Sequence, residues 1–202
     1  MYEENPEMRK IHNIVDHLKN GGVIIYPTDT IYAIGCDVYN NKGINQLCKI
    51  KGLKPSKAVF SLIADDISQI SGFAMNLTTP IYKAMKKGFP GPFTFILQAS
   101  TKIPRSLESN RKTIGVRVPD NNIPRVIART LGNPLISTSI RDDDQVIEYA
   151  TDPELIYDRF STNVDAFIDG GYGRNTASTI VDCTGDEFVV VRQGLGDFNS
   201  LI

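Results

Sequence analysis

The chain has 202 residues, 41% hydrophobic and 22% charged, a length and balance that fit one soluble, globular domain of ordinary size and exclude a disordered protein. No apolar run approaches the ~20 residues that span a bilayer, and the acidic start Met1-Tyr2-Glu3-Glu4-Asn5-Pro6 does not read as a secretion signal, so a cytoplasmic protein without membrane contact is expected. The net charge of −1 hides a division: residues 42–112 carry twelve basic and three acidic side chains, residues 142–187 two and twelve.

In chain order, Asn5-Pro6-Glu7 predicts a helix start with Asn5 as the cap and Pro6 in the first position. Ile11, Ile14, Val15 and Leu18 then recur at helical spacing, and Gly21-Gly22 end the helix. Residues 23–26 read as a buried strand broken by Pro27, and 31–36 as a second strand. A helix over 42–50 carries Ile44, Leu47 and Cys48 on one face. The lysine-rich loop 51–57 leads into a strand at 59–64. A helix over 80–87, ended by Gly88, precedes a strand at 93–97, and a further strand covers 113–118. A helix over 123–131 is followed by a strand at 134–137 that enters a polar turn. A helix near 153–160 and strands at 166–169, 178–182 and 188–191 complete the chain. Helices and strands interleave irregularly, which predicts one α/β domain over 1–202 with a mixed, twisted sheet.

The side chains narrow the chemistry. Cys36, Cys48 and Cys183 form no C-x-x-C pair, and His12 and His17 read as solvated residues of the first helix, so neither a zinc site nor a His-based triad is expected. No G-x-x-x-x-G-K-[ST] loop is present, and no G-x-G-x-x-G follows a strand. Gly170-Gly171-Tyr172-Gly173 precedes a strand and reads as a turn. Tyr26-Pro27-Thr28-Asp29-Thr30 is either an ordinary turn or a junction that places hydroxyls and a carboxylate in a pocket. Ser137-Thr138-Ser139 is either a capping turn or a source of hydroxyls for a phosphate or an amino acid. Lys51 and Lys57 flank a Gly- and Pro-containing loop suited to an anion. The basic middle of the chain is compatible with a solvated face or with a surface for an anionic ligand.

Gly21 to Thr30 followed by Tyr32-Ala33-Ile34-Gly35-Cys36-Asp37 resembles the opening of the threonylcarbamoyl-AMP synthase family, the YrdC/YciO-like proteins. Lys51 to Lys57, Gly91-Pro92-Phe93-Thr94, Ile114 to Pro119, Pro134 to Ser139, Ser178 to Asp182 and Val191-Arg192-Gln193-Gly194 resemble the same family in the same order. The resemblance implies an open, twisted mixed sheet with a large positive cavity. It also implies condensation of L-threonine, bicarbonate and ATP, with Mg²⁺ accompanying the nucleotide, into threonylcarbamoyl-adenylate for tRNA modification. Carried over by matching blocks, Thr30, Arg117 and Ser178 would bind threonine. Lys51, Lys54, Lys57, Ser137, Ser139 and Arg192 would face the nucleotide, with Lys51 and Ser139 in catalytic roles and no resident metal.

Two positions depart from the synthase pattern of Lys-x-Arg and Ser-x-Asn. This chain reads Lys51-Gly52-Leu53 and Ser139-Ile140-Arg141, which is closer to the YciO-like branch. Lys54 lacks the planar fork of the missing arginine. The altered signature implies a weak synthase or an enzyme acting on the adenylate. The alternative is a non-catalytic protein binding nucleotide or double-stranded RNA through the basic stretch.

Overall fold

The computed structural model describes residues 1–104, 112–140 and 151–202. Helix α1 (Met8–Lys19) leads to β1 (Ile24–Tyr26), β2 (Ala33–Asp37), α2 (Asn41–Ile50) and β3 (Ser61–Ile63). Next come α3 (Ile67–Ser71), β4 (Ala74–Met75), α4 (Thr79–Gly88), β5 (Phe93–Ala99) and β6 (Thr113–Arg117). The chain continues through α5 (Asn122–Leu131), β7 (Leu135–Ser139), α6 (Pro153–Phe160), β8 (Ala166–Phe167), β9 (Thr179–Asp182) and β10 (Val189–Arg192).

Local chemistry explains most of the boundaries. Asn40, Asn121 and Asp152 accept backbone N–H bonds at the starts of α2, α5 and α6. Gly132, in the left-handed conformation, closes α5. Helix α1 begins later than expected, with Glu7 rather than Asn5 at its N-cap and no side-chain cap bond. Elements α3 and β4, five and two residues long, are too short for a hydrophobic period to reveal. The polar turn expected after residue 137 is instead strand, because Ser137, Thr138 and Ser139 of β7 pair with Gly35, Ile34 and Ala33. Ladder bonds to a neighbouring strand outweigh the turn preference of serine here.

The strands form one mixed sheet in the order β10-β9-β5-β6-β3-β7-β2-β1-β8, with β4 paired to β5. Pairings β1–β8, β3–β6 and β5–β9 are parallel, and the other pairs are antiparallel. Successive side chains point to opposite faces, and the core divides accordingly. Ile25, Ile34, Leu62, Phe95, Val116 and Ile136 pack on one face with residues of α2, α4 and α6. Ile24, Tyr26, Ala33, Ile63 and Leu135 pack on the other face against α1 and α5. The second core omits β5, β6, β9 and β10, so that part of the sheet's second face lies outside the α1–α5 layer.

Phe95 is fully buried and meets Phe89 edge-on at 5.1 Å. Replacing it with alanine removes a ring from the covered face. Phe95→Ala should lower unfolding stability by about 3–5 kcal/mol, read from chemical denaturation followed by circular dichroism.

Candidate functional site

The uncovered part of the sheet holds a cavity of about 320 Å³. Part of its lining follows from register. Gly35, Ser137, Ser61 and Gly115 lie opposite one another across β2, β7, β3 and β6. The two serines of this row line the cavity, and the two glycines at its ends add no side-chain bulk beside it. At Gly115 a Cβ would come within 2.5 Å of Ser61 Oγ, and at Gly35 within 2.6 Å of the Ile136 carbonyl oxygen. The row tolerates little enlargement. On the same face, Tyr26 donates to Ser137 Oγ at 2.6 Å, and Ser137 Oγ donates to the Ile34 carbonyl at 3.1 Å. Burial pushes the Tyr26 phenol well above its ordinary pKa, which keeps it a neutral donor.

Arg117, at the end of β6, enters the wall from one side. Its Nη2 donates to Asp29 Oδ1 at 2.5 Å and to Thr30 Oγ1 at 2.8 Å. The Pro27–Thr30 turn is braced from within, since Thr28 Oγ1 donates to the Ile31 carbonyl at 2.7 Å and accepts from the Thr30 N–H at 3.1 Å. The ion pair is nearly enclosed, with side-chain exposures of 9% for Arg117 and 10% for Asp29. It is also monodentate: Arg117 Nε and Asp29 Oδ2 are buried with no hydrogen-bond partner.

From the opposite side, Arg192 at the end of β10 turns its guanidinium back onto Ser178. Nη2 and Nε donate to the Ser178 carbonyl at 2.9 and 3.2 Å. Ser178 Oγ shares a 2.9 Å hydrogen bond with Thr94 Oγ1 of β5. The close return of the chain depends on Gly194, where a Cβ would sit 2.2 Å from the Ala177 carbonyl oxygen. The Leu195 N–H donates to that same oxygen at 2.8 Å. Among the described residues the charged side chains on the cavity wall are Arg117, which Asp29 neutralises, and Arg192, so an anion is favoured on the Arg192 side.

The structure thus gathers Arg117, Ser137, Ser139, Ser178 and Arg192 around one cavity, with Thr30 bonded directly behind Arg117. Lys51, Lys54 and Lys57 are not on the cavity wall. Lys51 caps the C-terminus of α2, Lys54 precedes the 3-10 turn Pro55–Lys57, and both Lys54 and Lys57 are exposed. Leu53, the first departure from the synthase pattern, is 41% exposed, and Arg141, the second, lies outside the described residues. Ser61 and Thr94 join the site without having been assigned to it from sequence, and Asp29 is the carboxylate that the Tyr26–Thr30 junction brings to it. A polar residue between Phe60 and Leu62, or between Phe93 and Phe95, was the available signal. It marks the strand face that does not pack.

A family model described as telomere recombination, Sua5/YciO/YrdC, matches residues 16–194. The chain belongs to that family. The YciO protein of Escherichia coli K12 is 39% identical over 98% of this chain and 95% of its own length. The threonylcarbamoyl-AMP synthase of Coxiella burnetii is 32% identical over 82% of this chain and 87% of its own. The crystal structure of E. coli YciO superimposes with a TM-score of 0.89 at 38% identity, covering 98% of this chain and 95% of that one. Sua5 of P. abyssi complexed with L-threonine shares the fold, with a TM-score of 0.86 at 23% identity over 96% of this chain and 56% of that one. Among the described residues no helix is long and apolar enough to cross a membrane.

Tyr32 lines the cavity and links it to the Gly170–Gly171 turn, donating to the Gly171 carbonyl at 2.7 Å and accepting from the Gly170 N–H at 3.0 Å. Burial pushes its phenol up to about 12, opposed by the Gly170 N–H. The unfolded chain loses this proton near pH 10, so the folded state holds it more tightly. The resulting stability is complete below about pH 10 and is lost as pH rises toward the folded value. Denaturant titrations across this alkaline range should show Tyr32→Phe with a shallower loss of stability than the parent protein.

Proposed function

We propose that this member of the family makes threonylcarbamoyl-adenylate, slowly, from L-threonine, bicarbonate and ATP. The observation that carries the reading is that two arginines, Arg117 and Arg192, line one cavity together with the serines Ser61, Ser137, Ser139 and Ser178. The matching of blocks with the synthases supports it. In this reading Arg117 pairs the threonine carboxylate while Thr30 orients the guanidinium. Arg192, Ser137 and Ser139 receive the nucleotide phosphates, and Ser178 borders both ligands.

The reaction asks little of side-chain acid–base chemistry. The amine combines with carbon dioxide derived from bicarbonate to give a carbamate, whose oxygen attacks the α-phosphate and expels pyrophosphate. Such a step depends on alignment and on neutralising phosphate charge. Among the described residues no group of three or more His, Cys, Asp and Glu is disposed to hold a metal. Mg²⁺ would arrive on the phosphates of ATP, whose charge it neutralises. Lys51, Lys54 and Lys57, on the loop outside the wall, would reach the nucleotide only by closing over it. A second reading, RNA binding without turnover in place of synthesis, draws on the exposure of Lys54 and Lys57. Affinity for double-stranded RNA that falls steeply with added salt would favour it.

Purified protein given ATP and Mg²⁺ should release pyrophosphate only when threonine and bicarbonate are both present, with the adenylate appearing on chromatography. No release from a preparation that still binds ATP would overturn the synthase reading. Arg192→Ala should slow the reaction about a hundredfold or more, the usual effect of losing a charged donor to a transition state. Leu53→Arg combined with Arg141→Asn should raise the rate, because it restores a forked donor and an amide at the two departed positions.

A further inference from the structure

Asp29 is the least expected member of the site. An arginine that awaits an anionic ligand gains nothing, for anion binding alone, from a resident carboxylate at 2.5 Å. Here the pair is nine-tenths enclosed, so solvent screens it weakly. Its net charge is zero. A ligand bearing only a carboxylate would leave an uncompensated negative charge in that enclosure, and a ligand bearing only an ammonium an uncompensated positive one; either is costly at a buried site. A zwitterion adds no net charge.

The unpaired atoms agree with this. Asp29 Oδ2 lacks a donor and Arg117 Nε lacks an acceptor, which are the two deficits that the ammonium and carboxylate of one amino acid would relieve.

We propose that Asp29 is the specificity residue of this site: paired with Arg117, it restricts the amino-acid position to net-neutral α-amino acids and rejects the corresponding carboxylic acids and amines. The inference rests on the synthase reading and names what that reading leaves open, namely how a free amino acid is told from other small carboxylates.

The test is calorimetric titration of the wild-type protein and Asp29→Asn with three probes: L-threonine, 3-hydroxybutyrate, which lacks the amine, and threoninol, which lacks the carboxylate. Wild-type protein should prefer threonine to either analogue by about thirtyfold or more. In Asp29→Asn, threonine should weaken by about tenfold while 3-hydroxybutyrate tightens by about tenfold, a crossing of preference that arises from charge. Weakening of both ligands together would make Asp29 a merely structural partner of Arg117 and overturn the proposal. The wild-type series stands without the variant: equal binding of threonine and 3-hydroxybutyrate would overturn it even if Asp29→Asn did not fold. Threonine binding without discrimination removes this inference alone, whereas no threonine binding at all removes the synthase reading with it.

Discussion

A side chain on a strand has two faces to choose from, and in this protein that choice separates the core from the site. On one face Ile34, Leu62, Phe95, Val116 and Ile136 join a single apolar layer. On the other face the same strands present Gly35, Ser61, Thr94, Gly115 and Ser137. A one-residue slip in any of β2, β3, β6 or β7 would exchange the two sets. The apolar layer that drives folding therefore also holds the hydroxyls in register, and the cavity is a by-product of the register that buries the core.

The enclosed ion pair of Arg117 and Asp29 is tied to that arrangement. Arg117 extends from the end of β6, and Asp29 sits in the turn between β1 and β2. Strands β3 and β7 intervene between β6 and β2 in the sheet. Removing one partner would strand the other in a poorly solvated place. Pairing leaves both a cation that can meet a carboxylate and an anion that limits which carboxylates are welcome.

Much of this was legible in the order of residues. The periodicity of Ile11, Ile14, Val15 and Leu18 marks α1, and the apolar runs mark β1, β2, β5 and β6, because burial of a face leaves a repeating trace. The polar side chains of Ser137, Ser139, Arg117, Ser178 and Arg192 could be assigned to one site only through the matched blocks. In isolation a Ser-Thr-Ser run after a strand reads as a turn as readily as a phosphate contact. Lys51, Lys54 and Lys57, matched to the family in the same way, stand outside the cavity wall.

The sequence by itself determined the helices with a clear apolar stripe, the mixed α/β class and the family, since those depend on local periodicity and on blocks of residues in order. Tertiary structure decided which residues meet. Asp29 and Arg117 are 88 positions apart and Thr94 and Ser178 are 84, so no local pattern joins them. Their contact is set by strand order and register, which depend on how distant segments share one core. The same physics explains the cavity lining: the small polar residues Ser61, Thr94 and Ser137 are visible in the sequence, but only strand order and register bring them to one cavity.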